Sequence, residues 1–151
     1  MPELSDTLLH SYREAIYRVR GPGGDIDLRV DHHSAALAAL MASHSAGTAA
    51  FVTACNPYSE IHPPAWNAQA DRRLRAAVRA LELRTLGLRT LTGVGLDEGG
   101  RWPGEQSLLV LGISRTQALS LGRRFRQHAV VWVEDDARPT LLICGEDADV
   151  R

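Results

Sequence analysis

The stretch Thr48–Pro57, TAAFVTACNP, constrains the fold more than any other part of this chain. Ala, Phe, Val and Cys follow one another with little polar alternation, the pattern of a strand covered on both faces. Asn56-Pro57 stops it, because proline cannot continue a sheet ladder and pushes the residue before it out of helical space. Gln106–Gly112, with SLLVLG at its centre, is a second continuous apolar run. A fold for this chain has to bury both.

The segments between and after them have clear periods. Pro63-Pro64 suits a first helical turn, and Trp66–Leu83 follows as a helix with Ala70, Leu74, Ala77, Val78 and Leu81 on one side. Leu88–Leu96 alternates loosely and carries Gly93 and Gly95, which predicts an edge strand with a bulge or a close approach. Asp97–Gly104 is a turn. Ser114 and Gln117 form a capping box for a helix that buries Ala118, Leu121, Gly122 and Phe125. Ala129–Val133 and Thr140–Cys144 read as the last strands, and Glu146–Arg151 as a polar tail. Upstream, Leu4–Ile16 has helical spacing, and Ile16–Arg20 and Ile26–Val30 read as a hairpin across Gly21–Asp25. Ser34 caps a helix running to about Ser45.

From Thr48 the order is strand, helix, strand, strand, helix, strand. This predicts an α+β fold with a ferredoxin-like split βαβ core (βαββαβ), an added N-terminal hairpin and helix, and a C-terminal strand. In such a core the first and third strands are central, and here they are the two continuous apolar runs. The 151 residues read as a single α+β domain spanning 1–151.

Charge narrows the partners. Seventeen Lys and Arg stand against 18 Asp and Glu, a formal net charge of −1. That balance gives no overall pull towards nucleic acid or membranes. No run approaches the ~18 apolar residues of a membrane span. The N-terminal residues lack a basic-then-apolar signal segment, and the chain reads as cytoplasmic. Cys55 and Cys144 sit in strand-like runs without CxxC spacing, as buried thiols do. No motif names a cofactor. Gly21–Asp25 lacks the Lys-Ser/Thr ending of a phosphate loop.

The predicted topology brings three loops to one end of the sheet: the exit of the Thr48 strand, the Asp97–Gly104 turn, and the helix-to-strand turn at Arg126–His128. They hold Asn56, Tyr58, Ser59, His62, Asn67, Arg101, Trp102, Glu105, Gln127 and His128. The expected partner here is a small molecule, a polar ligand or a nucleotide, bound by Asn56, Tyr58, Ser59, Asn67, Trp102 and Gln127, and Glu105 is the expected acid or base of the enzyme alternative. Each has a structural alternative. The amides of Asn56, Asn67 and Gln127 also suit bracing of their own loops, Glu105 suits loop N–H groups, and Trp102 suits a cover over the core. Cys55 with His62 lacks a third orienting group for a nucleophile pair. The adjacent Asp31, His32 and His33 lack metal-ligand spacing, so no metal site is expected. Arg72, Arg75 and Arg79 form a helix face that is either solvated or a contact for an acidic partner or nucleic acid.

The same loops carry a resemblance. T-A-C-N-P-Y-S at Thr53–Ser59, Asn67, W-P-G-E at Trp102–Glu105 before S-L-L-V-L-G, and F-R-Q-H-A-V-V-W at Phe125–Trp132 resemble a bacterial family called domain of unknown function 3293. The likeness runs from Tyr12 to about Leu142. The chain departs from the family pattern at Cys55, where an aromatic is expected, at Gly104, where an acid is expected, and at Arg126, where a small residue is expected. The resemblance implies kinship and no activity.

Overall fold

The structure is a computed structural model and describes residues 3–100 and 103–145. In chain order the elements are α1 (Asp6–Glu14), β1 (Ile16–Gly21), β2 (Gly24–Leu28), α2 (Ala35–Ser43), β3 (Ala49–Thr53), a 3-10 turn (Pro57–Ser59), α3 (Pro64–Arg84), β4 (Arg89–Leu96), β5 (Glu105–Leu111), α4 (Arg115–Arg124), β6 (Ala129–Val133) and β7 (Thr140–Ile143). The α+β class expected from the sequence holds. The seven strands form one sheet in the order β2-β1-β4-β5-β3-β6-β7, with every neighbouring pair antiparallel.

Three helices start on side-chain caps. Ser5, Ser34 and Ser114 accept from the backbone N–H groups of Leu8, Leu37 and Gln117, and Gln117 returns a bond to Ser114. Each cap satisfies a donor that the first helical turn leaves orphaned. The longest helix, α3, instead begins on Pro63 and Pro64.

The two central strands explain the continuous apolar runs. Ala50, Val52, Leu108 and Val110 face one way, towards Leu74 and Val78 of α3 and Leu121 of α4. Ala49, Phe51, Leu109 and Leu111 face the other way, towards Leu37, Leu40 and Met41 of α2. Both faces are buried, so polar alternation has no place in β3 or β5.

One expectation is corrected. β4 is not an edge strand: it lies between β1 and β5. The reason is Gly93, the close approach that the sequence suggested. A Cβ there would lie 2.7 Å from the Arg18 carbonyl oxygen and 2.7 Å from the Phe51 ring. The missing side chain lets β1 pair along β4 while Phe51 packs across it. Tyr17 then meets Phe51 edge to face, with ring centroids 5.4 Å apart.

Register sets where the loops meet. Thr53 pairs with Ser107, Gly95 with Glu105, and Tyr17 with Gly95, while Phe51 pairs with Val131 near the start of β6. The exit of β3, the start of β5, the start of β6 and the junction of α1 with β1 therefore share one end of the sheet.

Candidate functional site

At that end the backbone after β3 turns through an unusual path. Asn56, Tyr58 and Ser59 all have left-handed conformations, with φ of 45°, 53° and 62°, and so does Arg126 opposite them, with φ of 55°. Asparagine tolerates this region, whereas tyrosine enters it at a cost that surrounding bonds must offset. Those bonds are present. The Tyr58 N–H donates to the Arg126 carbonyl at 2.8 Å, and the Ser59 N–H to the Asn56 carbonyl at 2.8 Å.

Asn56 and Asn67 lock the loop further. The Asn56 backbone N–H donates to Asn67 Oδ1 at 2.9 Å, and Asn67 Nδ2 donates to Asn56 Oδ1 at 2.9 Å. The His62 N–H also reaches Asn56 Oδ1, at 2.9 Å. With its oxygen used twice, Asn56 turns its Nδ2 outward and donates to Glu105 Oε2 at 2.7 Å.

Glu105 opens β5 opposite Gly95, whose missing side chain leaves room beside the carboxylate. It has no ion-pair partner among the described residues. Burial pushes its carboxyl above the usual value, and the Asn56 bond opposes this only in part. Two hydroxyls stand nearby: Tyr12 shares a short hydrogen bond with Ser59, and Tyr17 donates to the Tyr12 carbonyl at 2.6 Å. Burial raises the pKa of both tyrosines, and the Glu105 charge adds to it.

His128 is the anomaly of the site. It is 3% exposed, yet neither ring nitrogen makes a well-formed hydrogen bond, and the Tyr58 backbone is a polar group close to the ring. Burial depresses its pKa, and the nearby Tyr58 backbone works weakly against this. The Tyr58 ring lies over it at 5.1 Å. Two orphaned nitrogens in a buried imidazole are costly, and His128 is one of the residues that line a cavity. That cavity of about 70 Å³ is walled also by Glu105, Tyr12, Ser59 and Gln127. A second hollow of about 110 Å³ shares Tyr12, Asn56, Ser59 and Glu105 with it.

The candidate residues thus divide. Asn56, Asn67 and Glu105 form one hydrogen-bonded group, and Ser59 and Gln127 line the cavity beside it. Tyr58 covers His128 from one side. The Gln127 amide donates to the Cys55 and Phe125 carbonyls at 3.2 and 3.1 Å, which makes it a brace between β3 and the α4–β6 turn. Trp102, like Arg101, lies outside the described residues. Tyr12 and Tyr17 escaped the sequence reading, because their place depends on β1 pairing with β4. His128 was grouped with these loops but not chosen; the F-R-Q-H turn was the available signal.

Cys55 and His62 turn to different partners, Sγ to the Gln106 carbonyl at 3.7 Å and Nδ1 to the Glu60 carbonyl at 2.7 Å. Burial raises the Cys55 thiol pKa, which opposes a nucleophilic role. Arg72, Arg75 and Arg79 are exposed, and Arg75 Nε pairs with Asp71 at 2.8 Å. Among the described residues no group of three or more His, Cys, Asp or Glu is placed to hold a metal ion, and no helix is long and apolar enough to cross a membrane.

Neither the curated proteins nor the solved structures contain a match to this chain. Residues 52–130 match the model of one family, described as a protein of unknown function (DUF3293).

Proposed function

Because the chain belongs to the DUF3293 family, whose description assigns no activity, we propose from the site alone that the protein binds a small polar ligand between Glu105 and His128. The observation that carries this reading is a cavity lined both by His128, whose ring nitrogens are buried without a well-formed hydrogen bond, and by Glu105, a carboxyl group without an ion-pair partner among the described residues. A ligand offering one donor and one acceptor would satisfy both. The hollows are far smaller than the roughly 300–1,000 Å³ of drug-sized pockets, so the ligand has few heavy atoms.

The test is a thermal-shift screen of small hydroxy, keto and amide compounds against the wild type and His128→Phe. A ligand at about 100 times its dissociation constant adds about 2.7 kcal/mol to stability. A hit should shift the wild type and leave His128→Phe unmoved. Equal shifts in both proteins, or none in the wild type, defeat the proposal.

A second reading makes the same pocket catalytic, with Glu105 as acid or base. It is favoured by the upward displacement of the Glu105 pKa, which brings a carboxyl closer to neutrality. Glu105→Gln should then keep affinity and lose turnover. The same reading treats β3-α3-β4-β5-α4-β6 as a ferredoxin-like split βαβ unit, supported by the order β4-β5-β3-β6 within the larger sheet.

A further inference from the structure

The loop that gives Asn56 and Ser59 to the first cavity gives Tyr58 and His62 to a second cleft. This one measures about 710 Å³, within the range of small-molecule sites. It lies between α3 and the end of α4. Both helices pack on the sheet, and the side of α3 that faces the cleft carries Ala76, Ala77 and Ala80, too short to fill the gap.

The walls have a definite chemistry. Arg73 comes from α3, Arg124 from the last turn of α4, and Arg126 from the turn beyond it. All three are exposed, and none has a carboxylate within ion-pair distance among the described residues. The Arg124 guanidinium lies 5.5 Å from the Phe125 ring centre. Glu60 is the single acidic group on the wall among the described residues. Trp66 is 41% exposed at the edge of the cleft, with its ring 4.1 Å from that of His62. A cleft with three unpaired guanidinium groups and an exposed stacked indole suits a ligand that is anionic at one end and flat and aromatic at the other.

We infer that this cleft binds a nucleoside phosphate, its phosphate on Arg73, Arg124 and Arg126 and its base against Trp66. A single nucleotide suits the enclosed volume. A net charge of −1 gives a long polyanion no overall attraction. The site is separate from the one between Glu105 and His128, and it stands whether or not that one binds anything.

The experiment titrates the intact protein with AMP, GMP, CMP and UMP by calorimetry, with adenosine, inorganic phosphate and a single-stranded oligonucleotide as parallel arms. At least one mononucleotide should bind. Arg73→Ala/Arg124→Ala should weaken it by about tenfold or more, the loss expected for charge-assisted bonds. Trp66→Ala should weaken it also, and adenosine and phosphate should each bind less tightly than the nucleotide. Circular dichroism establishes that the variants are folded; both arginines are exposed, so the double variant decides the matter even where Trp66→Ala misfolds. The inference is overturned if no mononucleotide binds at millimolar concentration, if the arginine variant binds unchanged, or if the oligonucleotide binds and the mononucleotides do not.

Discussion

Asn56 Nδ2 and Glu105 Oε2 lie 2.7 Å apart across 49 positions of sequence. The amide that fixes the loop after β3 is thus also the group that stabilises the charge at the start of β5. Loop conformation and carboxyl ionisation are tied through one bond.

Glu105→Gln should change how stability depends on pH. Burial holds Glu105 above the ordinary 4.5. Between that value and the raised folded pKa, the folded chain holds more protons than the unfolded one, so stability falls as pH rises through the window. The variant lacks this decline. Urea unfolding of both proteins in steps upward from pH 4 checks it, and a constant difference between them across the window would refute it.

His128→Phe should remove a slope of opposite sign. The folded His128 titrates below 6.5, so the unfolded chain takes the proton first and stability falls as pH drops from 6.5 through the folded pKa. With Phe at 128 that acid-side loss disappears, and so do the two unpartnered nitrogens, whose burial costs about 1–3 kcal/mol. The same unfolding series, run from pH 7 downward, reads it.

Asn56→Ala and Asn67→Ala should not add. Asn67 Nδ2 donates to Asn56 Oδ1, and Asn67 Oδ1 accepts from the Asn56 backbone N–H, so either change removes the one bond between the two side chains. Residues sharing one network couple by about 0.5–3 kcal/mol. A double-mutant cycle in denaturant, giving a coupling energy near zero, would separate them.

Gly93→Ala should destabilise the fold by about 1–3 kcal/mol, the ordinary cost of overpacking, because its Cβ would lie 2.7 Å from both the Arg18 carbonyl and the Phe51 ring. Gly23→Ala, whose Cβ would meet nothing within 4 Å, is the matched control and should leave the melting temperature nearly unchanged.

The sequence made β3, β5 and the meeting of their loops legible for a local reason. Both strands are buried on two faces, and a run such as AAFV or LLVL has few other uses. Once the strand and helix order was read, Asn56, Glu105 and Gln127 fell at one end by direction alone. Tyr12 and Tyr17 were hidden because β1 reaches the site only by pairing with β4, and that pairing turns on the absence of a side chain at Gly93. Tyr12 also fits the apolar spacing of its own helix, which masked its hydroxyl. The isolation of the His128 nitrogens is a statement about everything around them, and no single segment encodes it.

The left-handed turn at Asn56, Tyr58 and Ser59 has a thermodynamic consequence. Its backbone is held in place by Asn67 and by the Arg126 carbonyl before any guest arrives, so the entropy of ordering it is lost during folding and not during association. A substitution that slackens the turn, such as Asn67→Ala, would then weaken affinity at Glu105 without removing any atom that touches the guest. In calorimetry the weakening would fall in the entropy of association and leave its enthalpy nearly unaltered.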